Sequence, residues 1–308
     1  MKVFKTDDGT VSKYIHDDGS ETTIKMNGSC NNALETNRDK FSVFLSSSVG
    51  CPLGCKFCYL TLGKRPYKKL DTDTIINNAK EAIEAKVKEN PWLRKKYVKL
   101  SWMGMGDAFL LNPVSFRDIN ERLVDWLLRD TGYAWGLDGI DISTVLPKGE
   151  KGWPHQLANL NDLCNSKYRL NPTNINKSPV RLFYSLHTPE NRQELIPSSV
   201  YGDSFSDLEY LNGVSEWYGI DLILHHMLLE GVNDDEESLA VVKDIVLHYT
   251  DQTELRVLRY NQHPLSTYRE STKFESIVKE LKESLPKFKY QVSDGAEILG
   301  ACGQFYGE

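Results

Sequence analysis

From residue 41 onward, short β-type runs alternate with amphipathic helical stripes, and this alternation narrows the fold more than any other feature. The strand-like runs are Phe41 to Ser47, Val98 to Met103, Ile140 to Thr144, Val180 to Leu186, Leu222 to Leu229, Leu255 to Tyr260 and Phe288 to Val292. Between them, Ile75, Ile76, Ala79, Ala82, Ile83 and Val87 share one face of a helix near 73 to 90, which the Asn90-Pro91 step ends. Phe116, Ile119, Leu123 and Leu127 make a second stripe, and Phe274, Ile277, Val278, Leu281 and Leu285 a later one. Asp234 to Glu237 has capping-box spacing at the start of another helix. Six β/α units imply a parallel sheet. They are too few for an eight-stranded barrel, so an open partial (β/α)6 barrel is expected, with its chemistry at the C-terminal ends of the strands. The Asn-, Lys- and Pro-rich segment 165 to 179 reads as a loop insertion.

Residues 1 to 38 read differently. Asp8-Gly9 and Asp18-Gly19 supply the positive φ angles of tight hairpin turns, and β-prone residues such as Val3, Phe4, Val11, Tyr14, Ile15 and Ile24 flank them. A three-stranded β meander is expected, then a polar loop around residues 27 to 32. The expected division is a small meander over 1 to 38 and a barrel domain over 39 to 308.

Composition excludes several classes. With 37 basic and 43 acidic residues in 308 the net charge is −6, and a 40% apolar content suits a globular chain rather than a disordered one. No apolar window approaches the ~20 residues of a membrane span, and the N-terminus has no signal-peptide pattern. Six cysteines in a chain of this length are too sparse for a disulfide scaffold, so free thiols and a cytoplasmic location are expected. Basic clusters stand out locally, at Lys64, Arg65, Lys68 and Lys69 and at Arg94, Lys95 and Lys96.

The first barrel strand is followed by Cys51-Pro-Leu-Gly-Cys55-Lys-Phe-Cys58, three thiols in Cys-x3-Cys-x2-Cys spacing. Three thiolates so close can hold three corners of a cubane iron-sulfur cluster and leave its fourth iron open. A structural zinc site is the competing reading; it requires a fourth ligand, and no second Cys-x2-Cys element exists in the sequence. In that case the chain would be a metal-binding protein without catalysis.

The cysteine spacing, with Phe57 before the third cysteine, resembles the radical S-adenosylmethionine (SAM) superfamily. Ser46 to Cys51, Met103-Gly104-Met105-Gly106-Asp107, Ile142-Ser143-Thr144, Ser185-Leu186-His187-Thr188-Pro189, Leu229 to Asp234, Tyr260-Asn261 and Ala301-Cys302-Gly303-Gln304 resemble, in order, the motifs of the RlmN/Cfr family of RNA adenine methyltransferases. The resemblance runs from about residue 41 to the end. It implies a [4Fe-4S] cluster on Cys51, Cys55 and Cys58 whose open iron takes the amino and carboxylate groups of SAM. One electron then cleaves SAM to a 5′-deoxyadenosyl radical. Phe57 would pack on the adenine of SAM. Gly106 and Asp107 lie in a glycine turn close to the ligand, and Ser143, Ser185 and Asn261 match SAM-hydrogen-bonding positions. Leu186 and His187 lie in the same loop as Ser185. Cys302 would receive a methyl group from one SAM, and a radical from a second SAM would activate that methyl for addition to an adenine ring carbon. That carbon has no nucleophilic lone pair for ordinary displacement. Glu21 matches in local context an acid/base residue, although a solvent-exposed strand glutamate is the plainer reading. The implied partners are an adenine-bearing substrate, RNA in the family, and a one-electron reductant such as flavodoxin or ferredoxin.

The sequence departs from the family at three places. Asp107 stands where the family has Glu. Phe44 occupies the position of the cysteine that breaks the enzyme-substrate crosslink; either Cys30, in the Asn-rich loop, replaces it, ahead of Cys164, or the crosslink resolves differently, or the chain performs another reaction. Only 50 residues precede Cys51, too few for the family's N-terminal helical domain. The alternative outcome is the same radical chemistry on another nucleoside, a peptide or a metabolite.

Overall fold

A computed structural model describes residues 1–26, 40–147, 152–174, 176–198, 204–249, 253–301 and 303–305. Strands β1 (Lys2–Lys5), β2 (Val11–Ile15) and β3 (Glu21–Lys25) form an antiparallel meander. Gly9 and Gly19 hold its turns at φ +67° and +86°, left-handed values that only glycine adopts freely. The preceding aspartates brace the turns: Asp8 accepts from Thr10 N at 2.9 Å and Asp18 from Ser20 N at 2.8 Å. β3 then pairs antiparallel with β4 (Lys40–Phe44), so the meander is hydrogen-bonded directly to the main sheet.

After β4 the chain runs through β5 (Ser48–Val49), α1 (Tyr59–Leu62), β6 (Lys68–Lys69), α2 (Thr72–Glu89), β7 (Tyr97–Trp102), α3 (Pro113–Asp125), β8 (Gly136–Thr144) and α4 (Trp153–Lys167). It continues through β9 (Val180–Ser185), α5 (Arg192–Leu195), α6 (Ser204–Tyr218), β10 (Asp221–Leu228), α7 (Glu236–His248), β11 (Thr253–Arg259), α8 (Phe274–Ser284) and β12 (Phe288–Gln291). Strands β4, β7, β8, β9, β10, β11 and β12 are neighbours in that order, and every pair is parallel. Six strand-helix units are present, with β12 as a seventh parallel strand, and β4 and β12 are not paired among the described residues. This is the open partial barrel expected from the periodicity. Among the described residues no helix is long and apolar enough to cross a membrane.

Period-two alternation divides each strand. Leu100, Ile140, Ile142, Leu182 and Leu224 belong to the apolar core shared with the helices, whereas the other face carries charges paired across strands. Asp141 meets Arg181 at 2.6 Å and Lys99 at 3.2 Å; Asp138 meets Lys40 at 3.2 Å. Burial alone would raise Asp141, but Arg181, Lys99 and Arg256 outweigh it and hold the carboxyl well below the ordinary range.

Two local expectations change. The N-cap of α7 is Asp235, which accepts from Ser238 N at 2.9 Å; Asp234 instead accepts from Gly231 N and from the Ser271 hydroxyl. The segment 165 to 179 begins as the end of α4, and beyond it Asn171 and Asn174 donate to Asp138 at 2.7 and 2.9 Å. These side chains fasten the connection to β8.

Candidate active site

Cys51, Cys55 and Cys58 lie on the loop from β5 to α1. The loop turns tightly: Cys58 N donates to Cys55 O at 3.1 Å, Gly54 has φ +72°, and Cys58 is the N-cap of α1. Leu53, Leu195, Ile196 and Met227 cover one side, and Leu60, Met105 and Phe305 the other. Burial pushes the Cys51 thiol up to about 12, with Cys58 adding to the rise; buried Cys55 is raised well above its ordinary value by burial and then by Cys58 and Cys51. The sulfurs therefore share one electrostatic site. Three thiolates are unstable in such apolar surroundings unless a cationic centre compensates them, and an iron-sulfur cluster does so. Among the described residues no three His, Cys, Asp or Glu side chains form a group fit for a metal ion. Cubane ligands need not converge like those of a single ion, because each thiolate binds its own iron.

The serines ahead of Cys51 join this loop to the turn after β7. Ser46 Oγ donates to Glu21 O at 2.6 Å and accepts from Met105 N at 3.0 Å, while Ser47 Oγ donates to Asp107 O at 3.0 Å. Gly106 has φ +84°, and a Cβ there would sit 2.3 Å from Ser48 Oγ, so only glycine fits. The Asp107 carboxylate accepts from Phe109 N at 2.9 Å and from Val145 N at 2.8 Å. Burial raises it to about 6 against these bonds. Asp107 thus clamps the end of β8 to the turn after β7.

A pocket opens at the C-terminal ends of the strands. Of the expected site residues it is lined by Phe57, His187 and Asn261; Phe44 and Lys25 line it from the meander side, and Gly303 and Phe305 from the C-terminal segment. His187 Nδ1 accepts from Met227 N at 3.1 Å, which places the ring hydrogen of neutral His187 on Nε2. Burial, then Arg192, keep this imidazole well below its ordinary pKa. Its ring meets Phe57 edge-on at 5.2 Å. The Phe57 carbonyl accepts from the Tyr260 hydroxyl at 3.2 Å and bonds His263 Nε2 at 3.1 Å, so the loop after β11 grips the cluster loop.

Gly106, Asp107, Ser143, Ser185 and Leu186 do not line this pocket. Ser143 and Ser185 stand at the ends of β8 and β9 as read from sequence. Leu186 is a buried core residue whose N–H donates to His225 O at 2.9 Å. Glu21 is not an exposed strand residue: it is 1% exposed and faces Lys13 at 3.8 Å. Its strand is enclosed on both faces, which a meander with one solvated face would not be. Cys30 and Cys302 lie outside the described residues.

Three residues escaped the sequence reading. His225 lines the pocket with its Nε2 unpartnered. Lys25 sits 5.2 Å above the Phe44 ring and donates to Asp294 O at 2.7 Å. Buried Arg192 donates to the carbonyls of Leu186 and Val145 and faces Asp207 at 3.7 Å, tying the loops after β8 and β9 to α6. Arg192 follows the Ser185 to Pro189 word by only three residues; no other local signal marks it.

The C-terminal segment returns to the cluster loop. Tyr59 N donates to Gly303 O at 2.9 Å, and Gln304 Nε2 donates to Gln262 O at 2.8 Å.

No family model matches the chain. It is 28% identical over 321 residues to a dual-specificity RNA methyltransferase RlmN of Syntrophobacter fumaroxidans, covering 100% of this chain and 80% of that protein. It is 24% identical to the RlmN of a Marinomonas species, covering 97% and 76%. The crystal structure of a radical SAM methyltransferase from Sphaerobacter thermophilus superposes with a TM-score of 0.73 at 20% identity, covering 100% of this chain and 81% of that one. The chain thus shares its fold with a solved radical SAM methyltransferase, and its sequence is similar to RlmN RNA methyltransferases.

Proposed function

We propose that this chain is a cytoplasmic radical SAM methyltransferase that adds a methyl group to an adenine ring carbon in RNA, with Cys302 as the methyl carrier. The observation that carries this reading is the bond from Tyr59 N to Gly303 O at 2.9 Å. It ties the residue after Cys302 to the residue after Cys58. A carrier thiol must reach both the bound SAM and the substrate, and Gly303, the residue after position 302, stands at the cysteine loop.

Cys51, Cys55 and Cys58 would hold a [4Fe-4S] cluster, which when loaded and reduced supplies the electron that splits SAM. The remaining work falls to the chain. Phe57, gripped at its carbonyl, presents a ring to the pocket, and His187 holds an N–H donor there without carrying charge. Ser143 and Ser185 are kept as SAM contacts at strand ends, whereas Asp107 acts by positioning the β7 and β8 loops. The pocket has no thiol at position 44, where Phe44 stands. Cys164 is buried in α4, so Cys30 is the thiol assigned to crosslink release. Glu21, enclosed beside Lys13, keeps its acid/base assignment; unchanged turnover in Glu21→Gln would remove it.

The test is incubation of reconstituted protein with methyl-deuterated SAM, a reductant and an RNA that contains adenosine. Labelled C-methyladenosine, with a labelled methylene or methyl on the Cys302 peptide, is the expected result. 5′-Deoxyadenosine without any label on Cys302 would instead favour radical chemistry on another substrate.

A further inference from the structure

The basic cluster after the cysteines has a defined place. β6, which contains Lys68 and Lys69, pairs antiparallel with β5, placing Lys69 opposite Ser48 and Lys68 opposite Val49. The approach is close: a Cβ on Gly50 would lie 2.4 Å from Pro66 O. The hairpin therefore rests on the residue that precedes Cys51. Arg65 points inward, its guanidinium reaching Gly19 O at 3.5 Å. Lys64, Lys68 and Lys69 are exposed, and among the described residues none has a carboxylate partner at ion-pair distance. Tyr67 between them is 44% exposed.

This surface does not belong to the pocket. The pocket is lined by Lys25, Phe44, Asn261 and Phe305, and by no residue between 58 and 102. The hairpin instead lies against Gly50, at the start of the cysteine loop, and touches the meander at Gly19. An uncompensated basic surface with an exposed aromatic residue beside a buried redox centre suits an acidic partner that needs a short path to that centre, not one that needs the pocket.

We propose that Lys64, Tyr67, Lys68 and Lys69 form the docking surface for an acidic one-electron carrier protein. One electron leaves the carrier's reduced flavin or iron-sulfur centre and enters the cluster held by Cys51, Cys55 and Cys58. The carrier is oxidised by one electron, the cluster is reduced by one, and no bond or proton changes hands. The inference rests on the assignment of a cluster to these cysteines, but not on RNA as the substrate.

The experiment compares the wild-type protein with Lys64→Glu/Lys68→Glu/Lys69→Glu, all exposed positions. Binding of an oxidised flavodoxin, an acidic FMN protein, is titrated at low and at physiological salt, and binding of a fluorescein-labelled polyadenylate is measured in parallel. Flavodoxin affinity is expected to fall about tenfold or more in the variant, and to fall with salt in the wild type. Flavodoxin-driven bleaching of the cluster should slow by a similar factor while dithionite-driven bleaching stays unchanged. Equal flavodoxin affinity in both proteins overturns the proposal. So does loss of polyadenylate binding with flavodoxin binding intact, which would make the hairpin an RNA contact. A preparation that binds flavodoxin through these lysines yet makes no methyladenosine would keep the docking surface and reject only the proposed substrate.

Discussion

The backbone N–H of Tyr59 bonds the carbonyl of Gly303 at 2.9 Å, so the first turn after Cys58 and the residue that follows Cys302 in sequence are held together. Gly303 adopts φ +83° to make that bond, with nothing within 4 Å of where its Cβ would be. Gly303→Ala places its Cβ in open space and strains only the backbone, by about 1–2 kcal/mol. The variant should fold normally and still cleave SAM, with roughly tenfold less methyl captured on Cys302, read by peptide mass spectrometry after labelled SAM. Wild-type capture would show that the turn does not depend on this bond.

Asp107 accepts from two backbone amides in different loops, at 2.9 and 2.8 Å. Asp107→Ala leaves both N–H groups buried without an acceptor, a loss of about 3 kcal/mol. Urea midpoints should drop accordingly, whereas Asp107→Asn, which keeps one acceptor oxygen, should lose less. A fully stable Asp107→Ala would show that other acceptors replace the carboxylate.

Arg192 is fully buried and reaches two carbonyls and Asp207. Arg192→Met removes the charge that faces Asp207 and should cost about 3–5 kcal/mol. Arg192→Lys cannot reproduce the fork and should be intermediate. Thermal unfolding distinguishes the three proteins; equal midpoints would mean that the loops hold without the guanidinium.

His226 is 0% exposed and, among the described residues, neither ring nitrogen has a hydrogen-bond partner. Burial alone lowers it from 6.5 to about 4. The folded chain thus refuses a proton that the unfolded chain accepts, so the penalty is absent above pH 6.5 and grows as pH falls toward 4. Between pH 7.5 and pH 5 it amounts to about 2 kcal/mol. His226→Leu should flatten this part of the urea-stability profile; a slope equal to wild type would locate the acid sensitivity elsewhere, for example at His225, which burial and Arg256 lower to about 3.

The parts of the protein written in local patterns were legible before the structure. Asp-Gly pairs specify turns by backbone angle, and period 3.6 against period 2 separates α2 from β7, so the meander and the open barrel follow from residue order. The Cys51 to Cys58 loop was legible because three thiols within eight residues must share a site. What was not legible depends on residues far apart in the chain. The enclosure of Glu21 depends on what packs over the meander, and the role of Arg192 depends on where the ends of β8 and β9 meet. The bond of Asp107 to Val145 N was hidden for the same reason: the resemblance placed Asp107 near the ligand, while Val145 lies on another strand's loop. Phe44 was visible as a departure, but only the structure sets it in the pocket wall with Lys25 above its ring.

Electron paramagnetic resonance of the anaerobically reconstituted, reduced protein with and without SAM tests the central claim most directly, alongside iron and sulfide analysis. The account predicts about four iron and four sulfide per chain, a reduced-cluster signal that shifts when SAM is added, and loss of that signal in Cys55→Ala. Zinc in place of iron, or an iron signal indifferent to SAM, would contradict it.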